Sequence, residues 1–192
     1  MPDPNQAVLD FLNSRRSTPA KTLRQPVPDR AEIEAFLKIA ARSPDHKKLE
    51  PWRFIVLAEP ALRRLAPLAE TRYHALGLPA EKCEKTCSQF ADGHLAIAVI
   101  SAPVARDDVP EAEQTLSAGA VCLALLNGAL ASGWGANWLS GPMAFDRDFL
   151  SQGLGLQAHE FVAGYIHVGT RSAAPPERPR PNVDSLTTWV DS

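Results

Sequence analysis

Between Glu111 and Ala131 the chain carries a long helical candidate whose middle, SAGAVCLALLNGALA, is apolar on nearly every face. A helix of that kind has no side to give to water, so it belongs inside a larger body and other elements must be layered around it. Its small residues Ala118, Gly119 and Ala120 would let a second backbone approach closely. A membrane span is not expected, because the longest apolar run, Ala118 to Leu126, falls well short of the ~20 residues a bilayer requires. The first residues, MPDPNQAVLDFLNSRR, are polar and contain no apolar signal stretch. A soluble, cytoplasmic protein is the expectation.

At 192 residues the chain is long enough for one self-supporting core. Residues 1–170 read as one domain and 171–192 as an extended C-terminal arm of it, rich in proline and arginine. The 20 basic and 22 acidic residues nearly cancel. That balance argues against broad binding to nucleic acid or to an acidic membrane, which needs a basic excess. The three cysteines are too few for a disulfide framework. Cys83 and Cys87 share a helical face and read as ordinary reduced thiols. A redox pair is the lesser alternative, because CxxxC lacks the tight CxxC loop.

Residues 5–14 read as a helix with Val8, Leu9, Phe11 and Leu12 on its apolar face, followed by a proline-containing loop from Thr18 to Pro28. Asp29 and Glu32 form a capping-box pattern ahead of Ile33, Phe36, Leu37, Ala40 and Ala41 at helical spacing, and Pro44 ends that helix. Trp52–Leu57 reads as a strand, 60–92 as helix broken near Gly77 and Pro79, and Leu95–Ile100 as a buried strand. After the long helix come a strand from Ala136 to Leu139, a Ser140-Gly141-Pro142 turn, a short helix over 146–152 and a strong strand over 160–168. A last extended piece is expected at Ser185–Val190. Strands separated by helices in irregular order favour an α+β fold with a mixed, largely antiparallel sheet flanked by helices. No GxGxxG follows a strand, and no GxxxxGK[ST] occurs.

Two clusters could carry chemistry. Arg15-Arg16-Ser17 offers two guanidiniums and a hydroxyl to an anion, or merely complements the end of the first helix. Arg42-Ser43-Pro44-Asp45-His46-Lys47-Lys48 gathers basic groups just before a strand, and His46 is either a binding group or a structural one. The five histidines (46, 74, 94, 159, 167) show no HExxH and no cysteine partner at ligand spacing, so no metal centre is expected. With no GxSxG elbow and no cysteine–histidine signature, the residues point to chemistry supplied by a cofactor.

Arg15-Arg16-Ser17, Arg42-Ser43-Pro44-Asp45-His46, Pro51-Trp52, the stretch EQTLSAGA, Trp138-Leu139-Ser140-Gly141 and Tyr165-Ile166-His167-Val168-Gly169 stand in an order that resembles the flavin-dependent nitroreductase family over nearly the whole chain. The resemblance implies an α+β homodimer with FMN at the subunit interface and NAD(P)H as reductant. It implies that Arg15, Arg16 and Ser17 hold the phosphate and the ribityl or pyrimidine side of FMN. Arg42 and His46 would approach the flavin, in part from the other subunit, and Trp138, Leu139 and Ser140 would lie against its ring. Arg178 and Arg180 could add phosphate contacts, and the last strand could cross to the partner. The implied reaction is ping-pong hydride transfer to a nitroaromatic, a quinone or a similar small acceptor, the flavin rather than a side chain carrying the electrons. A flavin-binding or flavin-processing protein without nicotinamide turnover is the alternative. The sequence departs from the family pattern at Glu50, where glutamine is usual, at Leu139, where arginine is frequent, and in lacking a further arginine after Arg15-Arg16-Ser17.

Overall fold

A computed structural model describes residues 2–191; the two terminal residues included in the domain bounds 1–170 and 171–192 lie outside it. The architecture is built around β3 (Leu95–Ser101), in which every residue is buried. Alternation along a strand sends successive side chains to opposite faces. Ala96, Ala98 and Ile100 therefore join one core, and Leu95, Ile97 and Val99 join another.

The sheet adds β2 (Trp52–Ala58) to one edge of β3 and β5 (Phe161–Arg171) to the other. β4 (Gly135–Leu139) and the two-residue β1 (Leu23–Arg24) both pair with β5. Every pairing among the described residues is antiparallel, in line with the mixed, largely antiparallel sheet expected. β1 itself lies in the stretch read as loop. Prolines flank it, and only the buried Leu23 reports it.

On one face lie α3 (Glu59–Ala75), α4 (Cys83–Ala91) and α6 (Arg147–Leu154). Phe90 meets Phe149 and Tyr165 there at centroid distances of 5.2 and 5.4 Å. The Tyr165 hydroxyl donates to the Met143 carbonyl (3.1 Å), which ties the turn after β4 to the core. On the other face lie α2 (Arg30–Ala40) and α5 (Glu111–Ala131). The capping box starts α2 as expected: Asp29 accepts from Glu32 N–H (2.9 Å), and Glu32 accepts in return from Asp29 N–H (3.0 Å).

Three expectations change. α5 is not enclosed: Val121, Cys122 and Leu125 pack on the sheet, but Leu116 is 73% and Leu123 46% exposed, with open space beyond Gly119. The reason is layering, since α5 is an outer layer and the chain supplies nothing to cover its far side. By length and composition α5 is the one described helix that could cross a membrane; in this fold its other face packs on the sheet. α1 (Gln6–Ser14) has the expected apolar residues but none of them is buried. Finally, the strand expected at Ser185–Val190 is absent. A 3-10 turn occupies Asp184–Leu186, and the rest pairs with no strand of the chain. Asn182 competes with extended structure there, accepting from Asp184 N–H (3.1 Å) and the Ser185 hydroxyl (2.8 Å).

Candidate functional site

The chain leaves α1 at Arg15, whose ψ of 140° turns the backbone out of the helix. The segment that follows is docked on β4. Thr18 N–H donates to the Ala136 carbonyl (2.8 Å), and the Asn137 side-chain amide donates to the Thr18 carbonyl (2.8 Å). Arg15, Arg16 and Ser17 are thereby held beside Asn137, Trp138 and Leu139, and the C-terminal arm closes the other side with Arg178 and Arg180. These residues line a cavity of about 510 Å³.

The cavity is electropositive. Arg16 lies 2.6 Å and Arg180 3.0 Å from Glu177 Oε1, the only carboxylate paired with either among the described residues. Arg15 donates only to Ser17 Oγ (3.0 Å), and its buried Nε has no partner. Burial, with Arg180 and Arg16 close by, lowers the Arg15 pKa. Three guanidiniums face one exposed carboxylate, which leaves the cavity with a net positive charge.

Trp138 forms the wall of the cavity. Its indole lies across Gly164, where a Cβ would stand 2.1 Å from Nε1, and Nε1–H donates to the Ala163 carbonyl (3.2 Å). Leu139 separates this cavity from a second one of about 470 Å³, to which Ser140 belongs together with Lys21, Lys82, Lys85, Gln89 and His167. Gln89 Oε1 and His167 Nε2 are buried there without partners, and burial pushes the His167 imidazole down to about 4. Gly141, which also lines this second cavity, makes the turn after β4, with φ at 126°.

Arg42 and His46 line neither cavity. They follow α2 at the first turn of α5, where His46 Nδ1 lies 2.8 Å from Glu113 Oε2. The adjoining backbone is strained: Lys47, Lys48 and Glu50 all have φ between 50° and 60°. Non-glycine residues in this region are uncommon and cluster at functional loops. The loop is tied down by Lys47 on Asp108 (2.6 Å) and by Glu50 N–H on Asp45 (2.6 Å). Arg106 and Lys47 hold the Asp108 carboxyl well below the usual carboxylate range.

So the structure brings Arg15, Arg16, Ser17, Trp138 and Leu139 together, puts Ser140 on the far side of Leu139, and places Arg42 and His46 elsewhere. As site residues, Asn137, Glu177, Gln89 and His167 escaped the sequence reading. Asn137 and His167, polar residues inside apolar strands, gave a local signal.

The fold and this cavity define a chain of the nitroreductase type. The nitroreductase family model matches residues 12–170, and the chain belongs to that family, which is one of oxidoreductases. The Escherichia coli K12 protein named "Putative NAD(P)H nitroreductase YdjA" is 28% identical over 162 residues, covering 84% of this chain and 87% of that protein. Among solved structures, a nitroreductase-like family protein from Bacillus cereus superposes with a TM-score of 0.80 at 19% identity, with full coverage of both chains. The Desulfovibrio desulfuricans "putative nitroreductase in complex with fmn" superposes at 0.73, with 21% identity and again full coverage of both chains.

Proposed function

We propose that the protein is an FMN-dependent oxidoreductase that works as a homodimer. It would transfer a hydride from NAD(P)H to a nitroaromatic, a quinone or a similar small acceptor in a ping-pong cycle. The observation that carries this reading is the cavity lined by Arg15, Arg16 and Arg180, in which Arg16 and Arg180 share a single carboxylate and Arg15 pairs with none, walled by Trp138. A phosphate dianion would give the Arg15 Nε a partner and offset the repulsion among the guanidiniums, so the residues present fit the group. The E. coli relative's name and the FMN in the D. desulfuricans structure support the same assignment.

Arg15, Arg16 and Ser17, with Arg178 and Arg180 of the arm, would hold the phosphate end. Trp138, Leu139 and Ser140 would bound the ring, and the backbone N–H groups of this turn are suited to orient it. When bound, FMN supplies two-electron hydride chemistry that no side chain provides. Arg42 and His46 would be contributed by the partner subunit. Their position beside α5 suits this, because α5 and α1 offer the uncovered apolar surface: Val8, Leu9 and Leu12 on α1, Leu116 and Leu123 on α5. The arm adds Leu186, Trp189 and Val190, each at least 73% exposed. Apolar surface on this scale marks an interaction site.

The test is a titration of apo protein with FMN and FAD, read by flavin fluorescence, followed by anaerobic addition of NADH or NADPH. FMN binding and bleaching are expected. Tight FAD binding without FMN binding would refute the assignment, and FMN binding without bleaching would leave only the flavin-binding alternative. Sedimentation of a Leu123→Glu variant checks the assembly. Loss of the dimer should weaken FMN binding, and a monomer with full affinity would place the whole site within one chain.

A further inference from the structure

Helices α3 and α4 each carry a pair of metal-ligand side chains four residues apart, Glu70 and His74 on one and Cys83 and Cys87 on the other. That spacing puts each pair on one helical face. The two faces meet beside a cavity of about 640 Å³, well apart from Arg15 and Trp138. Cys83 Sγ lies 3.9 Å from Cys87 Sγ and 3.7 Å from His74 Nε2. Ligand atoms of Glu70, His74 and Cys83 all fall within 4.8 Å of one another.

Tetrahedral zinc, with bonds of about 2.3 Å to sulfur and 2.0–2.1 Å to nitrogen, sets its sulfurs about 3.8 Å apart and sulfur from nitrogen about 3.6 Å. Cys83 already stands at those separations from Cys87 and from His74. We propose that Glu70, His74, Cys83 and Cys87 form a binding site for a soft divalent cation of the zinc type, which clamps α3 to α4. Sequence spacing hid it because the two pairs sit on different helices, separated by the break at Gly77–Pro79.

On binding, each thiol loses its proton to solvent as its sulfur–metal bond forms. Neutral imidazole Nε2 and a carboxylate oxygen complete the set. Four protein ligands leave no open position, so the ion is structural rather than catalytic. A bound cation favours the thiolate form of both cysteines. A Cys83–Cys87 disulfide is the competing use of the pair. It gives no role to His74 or Glu70, whose convergence on Cys83 favours the metal.

The test uses the full chain, reduced and stripped with chelator, titrated with Co²⁺ and then Zn²⁺, each spectrum read against the same sample before addition. One cobalt per chain is expected, with a thiolate charge-transfer band and the intense visible absorption of tetrahedral cobalt, both lost as zinc displaces it. Zinc at a hundredfold excess over its Kd should raise Tm by about 5–10 °C. His74→Gln and Glu70→Gln alter exposed residues that leave the core intact, and each should lower affinity by about tenfold or more. Cys83→Ser should remove one thiolate from the spectrum. Equal affinity in wild type and both exposed-residue variants, octahedral cobalt without charge transfer, or a Cys83–Cys87 disulfide that forms despite bound zinc would overturn the proposal.

Discussion

Gly164→Ala is the substitution that most directly tests how the cavity wall is built. A Cβ at Gly164 would stand 2.1 Å from Trp138 Nε1, 2.6 Å from Cδ1 and 2.9 Å from Cε2. Ordinary contact lies near 3.5 Å, so the overlap exceeds about an ångström and small shifts do not relieve it. The indole must leave its position. Its hydrogen bond to the Ala163 carbonyl is then lost, about 1 kcal/mol, and displacement of a packed side chain costs about 1–3 kcal/mol, part of which is the same loss. Alanine recovers about 0.5–1 kcal/mol over glycine within a strand. The net destabilisation should be about 1–2 kcal/mol. In a Trp138→Ala background the obstruction is gone, and Gly164→Ala should be neutral or stabilising by up to about 1 kcal/mol. Urea unfolding of the four proteins measures the coupling, expected at about 2 kcal/mol. FMN titration of the same set should show Gly164→Ala weakening flavin binding where Trp138 is present. Equal cost in both backgrounds would mean that Trp138 does not rest on Gly164, and the described wall would be wrong.

Arg15→Ala should weaken FMN binding by about 1.5–3 kcal/mol, roughly 10- to 150-fold in Kd, while leaving unfolding of the apo protein unchanged or slightly harder, because it removes a guanidinium that Arg16 and Arg180 repel; fluorescence titration beside thermal melts checks both halves. His167 predicts a pH dependence. Burial lowers its pKa from the ordinary 6.5 to about 4, so the unfolded chain takes up the proton first. The stability tied to its neutral form is complete above pH 6.5 and declines as pH falls toward 4. His167→Gln should flatten that window in urea titrations, with Gln89, Asp92 and the lysines 21, 82 and 85 unchanged around it.

What the sequence made legible is local. The capping box at Asp29 and Glu32, the buried run of β3 and the bounds of α5 each announce themselves within a few residues, because propensity, capping and periodicity act at that range. What it concealed depends on distant partners. Arg16 and Glu177 are 161 positions apart, and no pattern in either segment says that they touch. β1 is two residues long and exists only because β5 runs past the end of β3 and offers it an edge. The apolar faces of α1 and α5 were readable as apolar, but periodicity states only that a face will be covered. It does not say that the cover comes from the same chain.

That last distinction also accounts for the division of the site residues. Arg15, Arg16, Ser17, Trp138 and Leu139 converge because hydrogen bonds from Thr18 and Asn137 tie the segment after α1 to β4. His46 is held instead at α5 by Glu113, beside the strained backbone of residues 47–50, and Arg42 lies just before it in the chain. Three left-handed residues in one short loop cost free energy that a merely connecting segment would not retain. The loop meets α5 at Glu113 and Ser117, on either side in sequence of the exposed Leu116, where a second copy packed on that residue would approach it. The strain, the ion pairs that hold it and the bare apolar stripe are then three aspects of one arrangement. Under the proposed assembly each chain would preset a loop for a cavity in its partner, and the single chain would carry the two halves of the site on separate surfaces.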